Sequence, residues 1–195
     1  MKILIDNGHG IETPGKRSPV WPDGAQLFEW KYTREIAQRV ALALQKQGLD
    51  FEMIVKEDTD VPLSERCRRA NAIAAEVGVK NCLLVSIHNN ASATGTARGW
   101  EIHTYLGKSK SDECATIFWN EAKAILPVGT KMRGDWTDNE PDFDSNFAIL
   151  RDTKCAAVLT ENLFMDNPDD CRYLLSDEGK AAITKIHVQS ILKIT

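Results

Sequence analysis

The stretch "KILIDNGHGIETPGKRSP", residues 2–19, begins with an apolar run and passes directly into a histidine flanked by two glycines. The run at residues 3–5 has the length and composition of a short buried strand. Glycines on both sides of His9 let the backbone turn sharply and approach a metal ion or a substrate closely. The stretch therefore predicts a first strand whose carboxyl end presents His9.

The composition favours one folded domain over residues 1–195. Of the 195 residues, 43% are hydrophobic, which is enough for one α/β domain with its own core. The net charge is −4, and the Lys and Arg residues are scattered rather than gathered into a basic stripe. We therefore expect no binding to nucleic acid. A monomer is expected as well.

The cysteines and the first residues indicate where the chain is made. The five cysteines are odd in number and form no C-x-x-C pair, which argues against a disulfide framework and a cysteine-only zinc site. They fit small core residues of a protein in a reducing compartment. The few apolar residues before Asp6 leave no room for a signal-peptide core, and no apolar run reaches the roughly 18 residues that a membrane span needs. The sequence thus predicts synthesis in the cytoplasm without a signal peptide or a membrane span.

Strand-like and helix-like segments alternate along the chain. The predicted strands are "KILID", "DFEMIV", "CLLVSI", "GWEIHTYL" and "AAVLTE". The predicted helices are "FEWKYTREIAQRVALALQKQG", ending at Gly48, "PLSERCRRANAIAAEVG", beginning at Pro62, "SDECATIFWNEAKAIL", and two closing helices with N-caps at Asn167 and Ser176. Repeated strand–helix units predict an α/β fold with a mainly parallel, twisted sheet and helices on both faces.

This architecture places four polar residues at one edge of the sheet. Ligands of open α/β sheets bind at the carboxyl ends of the strands, where His9, His88 and Glu161 lie. Glu29 begins the helix that follows the first strand. A catalytic zinc takes three His, Glu or Asp ligands and leaves a position for water, whose pKa falls towards 7. We predict His9, Glu29 and His88 as the zinc ligands, with Glu161 as general base and then general acid.

Five motifs, in this order, carry a resemblance to a known family. They are "IDNGHG" at 5–10, "EWKYTREIA" at 29–37, "LSERCRRAN" at 63–71, "VSIHNNA" at 85–91 and "LTENLFMDN" at 159–167. The sequence resembles the zinc-dependent N-acetylmuramoyl-L-alanine amidases of the amidase-3 type over nearly its whole length. The resemblance implies hydrolysis of the amide between the lactyl group of N-acetylmuramic acid and L-alanine in peptidoglycan.

The resemblance also assigns residues. His9, Glu29 and His88 match the family's zinc ligands, and Glu161 matches its catalytic glutamate. Asn90 and Asn167 match asparagines of the last two motifs and are expected to bind substrate, while Arg66 and Asn71 are expected to have structural roles. Polar Thr33 and Arg34 stand where the family tends to be apolar, which leaves Glu35 as a rival metal ligand.

Two histidines and two loops complete the candidates. His103 is strand-like and able to line the cleft, whereas His187, on the last helix, is read as a surface or packing residue. The segment 127–146 is rich in Gly, Asp and Asn, and loops of this length are usually functional or disordered. We predict that Trp136 packs on a sugar ring of the substrate. The alternative is that the segment is a mobile surface loop without a role in binding. The proline-rich segment 13–26 is a second candidate wall of the cleft.

Other functions stay open at this point. A zinc peptidase that cuts within a peptide would use the same four residues, and a wall-binding module would keep the fold without the chemistry. The biological setting is also open between an endolysin that reaches the cell wall after release or assisted export and an enzyme that acts on internalised wall fragments.

Overall fold

The strands of the computed structural model form one six-stranded sheet, and the structure describes residues 1–92 and 94–195. They are β1 (Lys2–Asn7), β2 (Phe51–Met53), β3 (Cys82–Asn90), β4 (Glu101–Thr104), β5 (Phe143–Asp144) and β6 (Ala156–Phe164). Their order across the sheet is β2-β1-β3-β6-β4-β5. All neighbours are parallel except β4 and β6, which are antiparallel. The prediction of a mainly parallel sheet is confirmed.

The helices cover both faces of this sheet. They are α1 (Glu29–Lys46), α2 (Leu63–Val77), α3 (Lys110–Ile125), α4 (Ala148–Arg151), α5 (Pro168–Leu175) and α6 (Asp177–Ile194). One core joins α1, α3, α5 and α6 to one face, and a second core joins α2 and α4 to the other. Successive residues of β1 serve the two cores alternately, with Ile3 and Ile5 in the first and Leu4 in the second.

The three central strands bring the predicted site residues to one edge. Because β1, β3 and β6 are parallel and in register, their carboxyl ends lie side by side. Asn7 pairs with Ile87 and His88 pairs with Glu161. The continuous apolar runs of these strands fit their burial on both faces.

Most predicted helix ends are confirmed. Gly48 has φ of 72° just beyond α1, and the side chains of Asn167 and Ser176 accept backbone N–H groups at the starts of α5 and α6. Pro62 is a correction: the α2 helix begins at Leu63, because Pro62 has an extended backbone with ψ of 144° and precedes the helix.

The remaining elements were less predictable. The segment "GWEIHTYL" is a strand only over β4, and both β5 and α4 were not predicted because two to four residues give too short a pattern. The segment 127–146 is otherwise largely irregular, as expected. All five cysteines are buried and free, which confirms their reading as core residues. Among the described residues, no helix is both long and apolar enough to cross a membrane.

Candidate metal centre

The turn that carries His9 needs a glycine on each side. His9 itself has φ of 61°, in the left-handed region that few non-glycine residues adopt. A Cβ added to Gly8 would lie 2.4 Å from Cε1 of His88, and one added to Gly10 would lie 2.0 Å from the backbone nitrogen of Asp60. The two glycines therefore allow the His9 turn to pack directly against His88 and the neighbouring loop.

Polar side chains of α1 and α2 fix this turn by hydrogen bonds to its backbone carbonyls. The hydroxyl of Thr33 donates to the carbonyl of Gly8 at 3.0 Å, and Arg34 Nη1 donates to the carbonyl of His9 at 2.9 Å. Arg66 Nη2 donates to the same His9 carbonyl at 3.3 Å. Sequence reasoning recorded Thr33 and Arg34 only as departures from a pattern. Their position on the buried face of an amphipathic helix, one turn beyond Glu29, is the signal that indicates this role.

The predicted ligands His9, Glu29 and His88 meet at the edge of the sheet. Glu29 is buried at the start of α1, and its Oε1 lies 3.2 Å from Nδ1 of His88 while its Oε2 lies 3.3 Å from Nε2 of His9. The two imidazole rings are perpendicular, with centroids 4.9 Å apart. One ligand atom from each of the three residues lies within 4.8 Å of the others, so they form a candidate metal-binding group.

The polar atoms of this group fit a cation. Glu29 Oε2 is buried and accepts no hydrogen bond from any residue that the structure describes, whereas Oε1 accepts the backbone N–H of Asn89 at 3.0 Å. Burial by itself would raise the pKa of Glu29, but the neighbouring imidazoles of His88 and His9 hold it well below its usual range. A buried carboxylate with one unsatisfied oxygen and two imidazoles is a donor set typical of zinc.

Glu161 lies beside this group at the end of β6. Its Cα pairs with His88 of β3 on one side and with Glu101 of β4 on the other. Burial, together with the negative charges of Glu29 and Glu101, raises the pKa of Glu161 to about 8, although His88 opposes the shift. A nearby bound cation would lower this pKa again. A carboxyl group tuned in this way suits proton transfer near neutral pH.

Glu101 forms a network next to Glu161. Its Oε1 accepts from Nδ2 of Asn90 at 2.7 Å and lies 3.2 Å from Nε2 of His103, and its Oε2 accepts from Nε of Arg133. Burial raises the pKa of Glu101, but His103 and Arg133 more than reverse this, so the pKa lies below its ordinary value. His103 therefore lies in the wall beside the candidate catalytic carboxylate, outside the metal-binding group.

Asn162 is a buried site residue that sequence reasoning did not assign. Its Nδ2 donates to the carbonyl of His88 at 3.0 Å, and its Oδ1 accepts from Nε1 of Trp100 at 2.9 Å. The carbonyl of Asn162 also accepts from Nδ2 of Asn89 at 2.6 Å. Asn162 thus ties the strand end that carries His88 to Trp100, the residue directly before β4. An asparagine directly after Glu161, with apolar residues on the rest of the strand except Thr160, is the sequence signal for this role.

The other candidate residues lie outside the metal-binding group. Glu35, the rival ligand, pairs instead with Arg39 of α1 and Lys180 of α6. Asn167 caps α5, and Trp136 is exposed and packs edge-on against Trp119, with ring centroids 5.3 Å apart. The substrate-binding roles expected for Asn90, Asn167 and Trp136 stay predictions. His187 is a packing residue, fully buried beneath the sheet.

The fold and the site together define a class. An open α/β sheet carries a candidate His/Glu/His metal-binding group and an adjacent half-buried glutamate at the carboxyl ends of its strands. These side chains converge at the edge where open α/β sheets bind their ligands, so they define a candidate hydrolase site.

Comparison with known proteins specifies the class further. The chain belongs to the amidase-3 family, whose model, described as N-acetylmuramoyl-L-alanine amidase, matches residues 3–193. It is 31% identical over 200 residues to the endolysin of Bacillus phage SPP1, covering 98% of this chain and 65% of that protein. It is 28% identical over 193 residues to the N-acetylmuramoyl-L-alanine amidase CwlM of Bacillus licheniformis, covering 99% of this chain and 68% of that protein. The chain thus spans about two thirds of the length of these two relatives.

A solved structure shows the same fold. The N-acetylmuramoyl-L-alanine amidase from Clostridium difficile 630 superposes with a TM-score of 0.81 at 27% identity, covering 98% of this chain and 95% of that one.

Proposed function

We propose that the protein hydrolyses the amide bond between the lactyl group of N-acetylmuramic acid and L-alanine of the peptidoglycan stem peptide, using one zinc ion. The observation that carries the proposal is the meeting of His9, Glu29 and His88 within 4.8 Å, with Glu161 paired directly beside His88. Membership of the amidase-3 family and the names of its relatives support the choice of bond. All of these residues come from one chain, so a monomer is sufficient for the reaction.

The residues that would hold zinc are His9, Glu29 and His88. When bound there, zinc supplies an acidified water and polarises the scissile carbonyl. The hydrogen bond from the backbone N–H of Asn89 to Glu29 Oε1 fixes the orientation of this carboxylate and leaves Oε2 for the cation. Contacts of this outer kind hold the ligands in the geometry that binding requires.

Glu161 performs the proton transfers. Its Oε2 is buried and has no hydrogen-bond partner within residues 1–92 and 94–195, so this oxygen is available to accept the proton of the attacking water. The same oxygen then returns the proton to the departing alanine nitrogen. Neighbouring Glu101 is bound by Asn90 and Arg133 and is therefore not available for this role.

The first test is mass spectrometry of the products from purified peptidoglycan incubated with the zinc-loaded protein. We expect free stem peptides with a new N-terminal alanine, next to glycan strands that bear intact lactyl groups. Glu161→Gln should bind zinc like the wild type and lose at least about 100-fold in turnover. Cleavage within the peptide would indicate a zinc peptidase instead, and the absence of any product would favour a wall-binding module.

The second test concerns the metal ligands. Glu29→Gln should weaken zinc binding by at least about 100-fold, because the carboxylate is replaced by a neutral amide in a buried site. Glu35→Gln, the same change elsewhere on α1 and outside the metal-binding group, is the matched control and should bind zinc like the wild type. Zinc affinities are measured by competition with a chelator dye. Equal affinities for the two variants would contradict the ligand set.

A further inference from the structure

Arg133 is placed at the catalytic edge of the sheet by its backbone. The N–H of Arg133 donates to the carbonyl of Trp100 at 2.9 Å, and the N–H of Trp100 donates to the carbonyl of Lys131 at 2.9 Å. These bonds fix the segment against the start of β4. Because Glu101 touches Arg133 and is the Cα partner of Glu161, a single side chain separates the guanidinium from the candidate catalytic carboxylate.

The guanidinium of Arg133 is held in one orientation. Its Nε donates to Oε2 of Glu101, and its Cζ lies 5.1 Å from the ring centroid of Phe164. The side chain is 29% exposed, so one part of it is packed and the other is open to solvent. A side chain that is already ordered loses little entropy when it binds a ligand.

The outer nitrogens of Arg133 are available for a ligand. In the described part of the chain, neither Nη1 nor Nη2 has a hydrogen-bond acceptor, although Nε is fully engaged by Glu101. Glu101 is in turn fixed through its other oxygen by Asn90 and His103, so it has no freedom to turn towards the Nη atoms. The two Nη groups form a fork that matches the two oxygens of a carboxylate.

We propose that this fork binds a free carboxylate of the stem peptide, on the peptide side of the bond that is cut, and so makes the enzyme selective for carboxylate over carboxamide substrates. The inference rests on the proposed amidase function. A carboxylate forms two charge-assisted hydrogen bonds with the fork, whereas a carboxamide is neutral and offers one acceptor oxygen. Without Arg133, a substrate carboxylate at this edge would instead meet the negative charges of Glu101 and Glu161.

The test compares two substrates that differ only in the two carboxyl groups of the D-glutamate: N-acetylmuramoyl-L-alanyl-D-glutamate, in which both are free, and its diamide. The wild-type enzyme should prefer the dicarboxylate by about tenfold or more in kcat/KM, mainly through KM. Arg133→Met should bring the ratio of the two kcat/KM values close to one. Arg133→Lys, which keeps the charge and loses the fork, should recover part of the preference.

Lys131→Met is the matched control, because it removes one positive charge from the same segment at an exposed position; it should keep the preference of the wild type. If Arg133 only supports Glu101, Arg133→Met will slow both substrates equally and the ratio will not change, which overturns the proposal. Equal rates of the wild type on both substrates overturn it too, while the amidase function stands.

A binding measurement separates this proposal from the function itself. If the wild type cleaves neither small substrate, calorimetry with L-alanyl-D-glutamate and its diamide reads the same preference on the zinc-loaded protein. Tighter binding of the dicarboxylate that Arg133→Met removes supports the site, and equal binding of the two peptides overturns it. The peptidoglycan assay decides the amidase function independently.

Discussion

Arg66 and Asp6 form an ion pair in the protein interior, with Nη1 and Oδ1 2.8 Å apart and both side chains at most 3% exposed. Arg66 also donates to the carbonyls of Val61 and Asn7, and Asp6 Oδ2 accepts from the hydroxyl of Ser86 at 2.6 Å. The end of β1, immediately before the His9 turn, is therefore fixed by a buried pair of charges whose remaining polar atoms are satisfied.

Arg66→Met should destabilise the protein by about 3–5 kcal/mol, because it leaves the carboxylate of Asp6 buried without its partner. Urea unfolding of the metal-free protein measures this loss. Arg68→Met on the same helix is the control: Arg68 is exposed and pairs with Glu65, so a change of at most about 1 kcal/mol is expected. Similar losses of unfolding free energy for the two variants would show that the buried ion pair stabilises the protein no more than the exposed one.

Gly8→Ala tests the packing of the His9 turn against the metal-binding group. The new Cβ would lie within 2.9 Å of three atoms of the His88 ring, so the imidazole must move away from Glu29. We expect zinc affinity to fall by at least about tenfold, since ligands must stay close to their productive geometry. Competition with a chelator dye measures the affinity.

Gly15→Ala is the control for this change. Gly15 belongs to the same loop and has no atom within 4 Å of its added Cβ, although its φ of 74° makes alanine strained there. It should cost about 1 kcal/mol of stability and leave zinc binding unchanged. A loss of zinc affinity in Gly15→Ala as large as in Gly8→Ala would show that loop strain, and not contact with His88, controls the site.

The convergence of His9, Glu29 and His88 was predictable because each residue has a local sequence signal. The apolar runs of β1, β3 and β6 predict buried parallel strands, and parallel strands end at one edge of the sheet. His9, His88 and Glu161 stand at these strand ends, and Glu29 at a helix start, so their convergence follows from the order of elements alone.

The walls of the site were not predictable in this way. The direction of β4 depends on how the chain crosses from β3, and a four-residue alternation carries no information on it. The pairing of Glu101 with Arg133 joins residues 32 positions apart, and the bonds from Arg34 to the His9 carbonyl cross from helix to loop. Such contacts depend on tertiary packing, which a local sequence pattern does not predict.

His187 should make stability depend on pH between about 6.5 and 4. Its Nδ1 lies 2.8 Å from the carbonyl of Ile183 and its Nε2 3.0 Å from the hydroxyl of Thr160. Because the carbonyl only accepts, the neutral ring donates through Nδ1 and accepts through Nε2. Burial lowers the pKa of His187 to about 4.

The difference in proton uptake between the unfolded and folded states sets the direction in which stability changes with pH. Below pH 6.5 the unfolded chain protonates this histidine while the folded protein does not, so stability is complete above pH 6.5 and falls as the pH decreases towards 4. The loss attributable to His187 is about 3 kcal/mol over this range. His187→Gln cannot titrate, so its stability, measured by urea unfolding, should decline less steeply than that of the wild type. The gap between the two proteins should therefore narrow by about that amount from pH 7 to pH 4, and parallel curves would show that His187 takes up its proton equally in both states.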